Sequence, residues 1–154
     1  MAARTANADT NITTNRKARH DYTVLESIET GIVLTGTEVK SLRQGNANLT
    51  DGYARIKNGE VWLVGIHISP YDQGSYANVD PIRPRKLLLH RKEIRKLVGR
   101  TVDRSIALVP LRAYFRNNRA KLELGICRGK KSYDKRQDIA RREVERDIRR
   151  KYAR

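Results

Sequence analysis

The chain has 154 residues, 38% hydrophobic and 32% charged, which fits one domain with a modest core and some unpacked chain better than two domains. Lys and Arg total 33 against 17 Asp and Glu, and the net charge of +16 repels itself unless a polyanion neutralises it; nucleic acid fits best, because phosphate contacts also release counterions. No apolar run is longer than four residues and the lone Cys127 has no disulfide partner, so we expect a cytoplasmic protein that neither crosses nor binds a membrane.

Residues 1–14 are small and polar, and predict a disordered leader. The run Tyr22–Leu34 is rich in β-branched residues and predicts two strands turning at Glu29-Thr30-Gly31. Thr35 with Glu38 three residues later is a capping box for a short helix, and Gly45 lies just past its end. Asn58-Gly59 between two strand-like runs predicts a tight hairpin. Residues 85–89 read as a strand. A helix follows, with His90 as N-cap, Glu93 at the third position, Leu89 and Ile94 as a staple, and Gly99 at its end. Two further strands flank a turn at Asn117-Asn118, with Pro110 at an edge or bulge.

About six short strands and two or three short helices predict a mainly β, α+β fold: a small antiparallel barrel of the oligonucleotide-binding (OB) kind over residues 15–128. Residues 129–154 form a basic C-terminal tail. Ala140, Val144, Ile148 and Tyr152 give it only a narrow apolar line, so we expect it to be disordered when free and helical on its partner.

The stretch GICRGKKSYDKR (125–136) invites comparison with a phosphate-binding loop, but the spacing fails. Three residues, not four, separate Gly125 from Gly129, and Lys131 stands where a hydroxyl would hold magnesium. His20, His67 and His90 are widely separated and none lies at ligand spacing from Cys127, so no metal, cofactor or catalytic cluster is expected and the protein reads as a non-enzyme. The charge concentrates in two segments, 81–100 and 128–154, each with a net +7. Basic side chains beside the strand in RPRKLLLHRK (83–92) suit a groove following a phosphate backbone, and Tyr133 among lysines suits base stacking.

Several stretches in one order carry a resemblance: NRKARHDY (15–22), ETG (29–31), GTEVKSLRQG (36–45), HISPY (67–71), SYANVDP (75–81), RKLLLH (85–90), LVPL (108–111) and GKKSYDKR (129–136). From Asn15 onward the chain closely resembles the SmpB (small protein B) family, the tmRNA-binding proteins of trans-translation. The resemblance implies an OB-like barrel that binds the tRNA-like domain of tmRNA and, with elongation factor Tu, delivers it to stalled 70S ribosomes for peptide tagging. It places Asn15, Tyr22, Glu29 and Leu88 at the tmRNA surface. To these, charge alone adds Arg16, Lys17, Arg19, Arg85 and Lys86. It also implies that Gly129, Lys130, Lys131, Tyr133, Asp134, Lys135 and Arg136 act in the ribosomal decoding centre against 16S rRNA, with the rest of the tail in the mRNA path. A monomer is expected. The competing reading is a structural rRNA-binding protein of the ribosome.

Overall fold

The computed structural model describes residues 10–71, 78–130 and 132–152, with the backbone alone for 132–138 and 150–152. Among the described residues, nine strands and four helices follow in chain order: β1 (Thr10–Thr14), α1 (Arg16–Asp21), β2 (Tyr22–Ile32), α2 (Gly36–Arg43), β3 (Ala47–Asn48), β4 (Tyr53–Lys57), β5 (Glu60–Val64), β6 (His67–Ile68), β7 (Arg85–Leu88), α3 (Arg91–Thr101), β8 (Ile106–Arg116), β9 (Arg119–Gly129) and α4 (Ser132–Tyr152). The chain is therefore mostly β with short helices, as expected.

The large sheet runs β1-β8-β4-β5-β7-β2-β9, and β9 pairs back onto β8, so six strands form a closed ring with β1 on its flank. Alternation along these strands sends one set of side chains inward. Val61, Leu63, Leu87, Leu108, Leu122, Leu124 and Ile126 fill the interior, and Leu42 of α2 and Leu97 of α3 enter the same core. Burying each such side chain stabilises the fold by roughly 1.5–3 kcal/mol before conformational entropy is counted.

The turn chemistry is where it was expected. Asn58 and Gly59 have φ of 53° and 73°, and Asn117 and Asn118 have φ of 52° and 62°, the left-handed pairs of tight hairpins. Thr35 and Glu38 make the reciprocal capping box. Gly45, at φ 76°, follows the end of α2. The β8–β9 register shifts between Pro110 and Arg112, so the proline stands at a bulge.

Four expectations need correction. Residues 22–32 form one strand, not two, because Thr30 points inward and donates its hydroxyl to the Leu122 carbonyl at 3.3 Å. Gly31 is a close approach rather than a turn: an added Cβ would lie 3.2 Å from the Leu88 Cβ. Helix α3 passes Gly99, which has open space around it, and ends at Thr101. The leader is not unpacked to residue 14, since β1 pairs Thr10 with Phe115 and Thr14 with Arg112; residues 1–9 lie outside the described part.

Candidate nucleic-acid interface

Helix α1 has only six residues and could not hold its shape alone. Asn15 fixes its start. Its side-chain oxygen accepts from the Ala18 N–H at 3.1 Å, and its amide donates to the carbonyls of Pro110 at 2.9 Å and Leu49 at 3.1 Å. The Asn15 backbone N–H donates to the Leu111 carbonyl at 2.7 Å. Ala18 then packs on Val109, Leu111 and Cys127 at the outer side of the sheet, with half-buried Tyr22 against the same cluster. At the other end, Lys130 donates its backbone N–H to the Asp21 carbonyl at 2.9 Å and its ammonium to the Arg19 carbonyl at 3.2 Å.

This clamp turns Arg16, Lys17 and Arg19 outward, all exposed. Lys17 has one weak surface partner, Asp51, at 3.6 Å. Beside α1 lies a groove of about 640 Å³ whose walls include Lys17, Tyr22, Tyr53 and Arg55. Asn15 itself is 2% exposed, and its hydrogen bonds hold the cationic helix in place.

Glu29 lies on the outer face of β2, opposite Glu123 of β9. Its carboxylate accepts from Arg116 and from the Tyr114 hydroxyl. Burial, together with that bond, pushes the Tyr114 phenol well above its ordinary value, so it remains a proton donor at neutral pH. The Arg112 guanidinium covers the Tyr114 ring at 4.1 Å and donates to Glu123 at 2.8 Å. Glu29 is thus a held acceptor on a rigid lattice, not a free surface carboxylate. Leu88, 52% exposed, stands over Gly31 two residues along β2. Lys86 is half-buried and pairs with Glu60 at 3.2 Å.

Arg85 does not belong with these residues. It is 0% exposed, and its guanidinium bonds Glu38 and the carbonyls of Ile66 and Pro81. Its position in RKLL suggested a phosphate contact because adjacent basic residues look alike in sequence; strand alternation sends Arg85 inward and Lys86 outward.

Strand β9 carries its pairing to Gly129, opposite Tyr22, so the chain leaves the ring beside α1. The exit is therefore held by Lys130. Gly125 serves packing: a Cβ there would come within 2.9 Å of Leu111 Cδ1 and of Cys127 Sγ. Buried Cys127 has its thiol pushed up to about 11 by desolvation, which leaves it un-ionised at neutral pH. Tyr133, Asp134, Lys135 and Arg136 fall in the first turns of α4, where only backbone is described, and Lys131 lies outside the described residues. From 139 to 149 every α4 side chain is exposed, including Ile139, Val144 and Ile148.

The sequence reading missed the helix at 16–21 and the Tyr114–Arg112–Arg116 lattice. Asn15 followed by Ala18 in a basic run was the available signal for the first; nothing local signalled the second, which exists only through β-pairing. Among the described residues, no helix is long and apolar enough to cross a membrane.

A mostly β ring that turns a clamped cationic helix and a charged tail helix outward has the architecture of a small polyanion-binding protein. The family model described as SmpB protein matches residues 12–154. The chain is 60% identical over 134 residues to the SsrA-binding protein of Desulforudis audaxviator, covering 87% of this chain and 88% of that one. It is 56% identical over 137 residues to the SsrA-binding protein of Enterococcus faecalis, covering 89% of each. A solved chain described as "tmRNA-SmpB: a journey to the center of the bacterial ribosome" superposes with a TM-score of 0.67 at 53% identity, over 78% of this chain and 85% of that one. The protein belongs to the SmpB family.

Proposed function

We propose that this protein binds the tRNA-like domain of tmRNA and carries it to stalled ribosomes for trans-translation, performing no chemistry itself. The observation that carries the reading is the close relationship to SsrA-binding proteins, joined to a cationic helix locked at both ends onto the sheet. The closed ring of strands supports a small barrel of the oligonucleotide-binding kind. On this reading Arg16, Lys17 and Arg19 neutralise phosphates. Tyr22 and Leu88 offer apolar contact, and Glu29 accepts hydrogen bonds from base amino or imino groups. Asn15 positions the helix. Elongation factor Tu joins through the tmRNA, and the work is done in the cytoplasm, where the ribosomes are.

The tail is the ribosomal half of the device. A helix whose described side chains, 139–149, are all exposed gains little from the ring, so its helical state depends on a partner. We place Gly129, Lys130, Lys131, Tyr133, Asp134, Lys135 and Arg136 at the decoding centre against 16S rRNA, and the remainder along the mRNA path.

Recovering the protein from bacterial lysate and sequencing its RNA tests the reading. Enrichment of tmRNA is expected; ribosomal RNA in subunit stoichiometry, without tmRNA, would instead make it a structural ribosomal protein.

A further inference from the structure

The outer face of β4, β5 and β7 carries an aromatic side chain that the proposed tmRNA surface does not use. Trp62, the chain's one tryptophan, is half-buried on β5 with Arg55 directly opposite on β4 and Lys86 directly opposite on β7. The three side chains form a cross-strand row with an aromatic at its centre. A groove of about 350 Å³ opens at this row, lined by Arg55, Lys57, Asn58, Glu60, Trp62 and Pro84.

We propose that this groove binds single-stranded RNA, with one base stacked on the Trp62 indole and adjacent phosphates on Arg55 and Lys57. Arg55 and Lys57 are exposed and neither makes an ion pair with a described residue, whereas Lys86 is committed to Glu60. They lie two apart on one strand, so their Cα atoms are about 6.7 Å apart, close to the step between successive phosphates of an extended strand. The cation–ring contacts of the described residues fall on Tyr71, Phe115 and Tyr114, so no guanidinium covers the indole face as Arg112 covers Tyr114. Past the Asn58-Gly59 turn, a second depression bordered by Arg91 and Arg95 of α3 continues the positive edge. Charge favours a polyanion here, and an uncovered indole between cations favours one with bases.

In the ring, β5 stands three strands from β9 in either direction. The Trp62 face therefore points away from the β2–β9 face, and two RNA segments could be held at once. The inference goes beyond the tmRNA assignment and does not require it.

The lone tryptophan makes the test direct. Full-length protein is titrated with a twelve-nucleotide adenosine RNA, following Trp62 emission, and with the tRNA-like domain in parallel. Saturable quenching by the oligonucleotide is expected, weakening with salt. With labelled oligonucleotide, Trp62→Leu should bind about ten-fold more weakly, and Trp62→Phe should fall in between. Lys57→Ala should flatten the log–log salt dependence by about 0.7, the share of one phosphate on a single strand. The tRNA-like domain should bind these variants nearly as well as the parent. Absence of quenching, or unchanged oligonucleotide affinity in Trp62→Leu, overturns the proposal. So does equal loss for both RNAs, or quenching by a polyglutamate peptide as effective as by RNA. If the oligonucleotide quenches but the tRNA-like domain never binds, this site stands and the tmRNA reading falls.

Discussion

Arg85 places Nε at 2.8 Å and Nη2 at 2.6 Å from the same oxygen of Glu38, and both side chains are buried inside the fold. The other carboxylate oxygen accepts from Arg83 and from the Thr35 N–H. One acidic side chain thus ties α2 to β7 and caps its own helix. Because two cations converge on one carboxylate, removing it strands charge out of reach of water. Glu38→Gln should cost about 3–5 kcal/mol, read from urea unfolding at neutral pH.

The same group sets a pH dependence. Burial pushes the Glu38 carboxyl up, but the bonds from Arg83, Thr35 and Arg85 outweigh it and hold it below its ordinary value. A carboxylate depressed in the folded state contributes stability above its unfolded pKa of about 4.3 and loses it as pH falls through the folded value. The stability gap between the parent and Glu38→Gln should be full at pH 6–7 and close steadily below about pH 4. A gap constant from pH 7 to pH 3 would refute the ion-pair account.

Asn15 gives a separable effect. Asn15→Ala removes a helix cap and leaves the Pro110 and Leu49 carbonyls without its amide, for a loss of about 2–3 kcal/mol. Arg16, Lys17 and Arg19 would remain but lose their fixed geometry. Affinity for the tRNA-like domain should therefore drop even where circular dichroism shows the variant folded, and the drop should not change the salt slope.

Gly125→Ala should destabilise by about 1–3 kcal/mol through overpacking, because the new methyl meets Leu111 and Cys127. Adding Leu111→Val should recover part of that loss, a non-additivity measurable by thermal unfolding. Simple addition of the two losses would mean the methyl is accommodated some other way.

Tyr114→Phe deletes the hydroxyl that donates to Glu29 while keeping the ring under Arg112. Discrimination between the tRNA-like domain and generic RNA should fall more than generic affinity does, and Glu29→Ala should do the same to a larger degree. Equal losses on both RNAs would remove base reading from the role of Glu29.

Much of this was legible in the chain because local chemistry carried it. Asn58-Gly59, Asn117-Asn118 and the Thr35/Glu38 box each specify backbone geometry within a few residues. What stayed hidden depended on distant partners. Glu29-Thr30-Gly31 looked like a turn, and only the presence of Leu88 across the pair explains the glycine. Arg85 and Lys86 are adjacent and equally basic, yet the pleat assigns one to Glu38 and the other to the surface. The lattice of Arg112, Tyr114, Arg116, Glu29 and Glu123 spans three separate parts of the sequence, so no window along the chain could reveal it. Residues 125–136, which first resemble a nucleotide loop, become a packed strand end, a lysine latch on α1 and the start of a helix.

The most direct measurement compares equilibrium binding of the full chain to the tRNA-like domain of tmRNA and to an elongator tRNA at the same physiological salt. The account predicts at least ten-fold preference for the tRNA-like domain, reduced by Arg16→Ala/Lys17→Ala/Arg19→Ala through a lower affinity and a shallower salt slope. Equal affinity for the two RNAs, or a triple variant that binds like the parent, would contradict it.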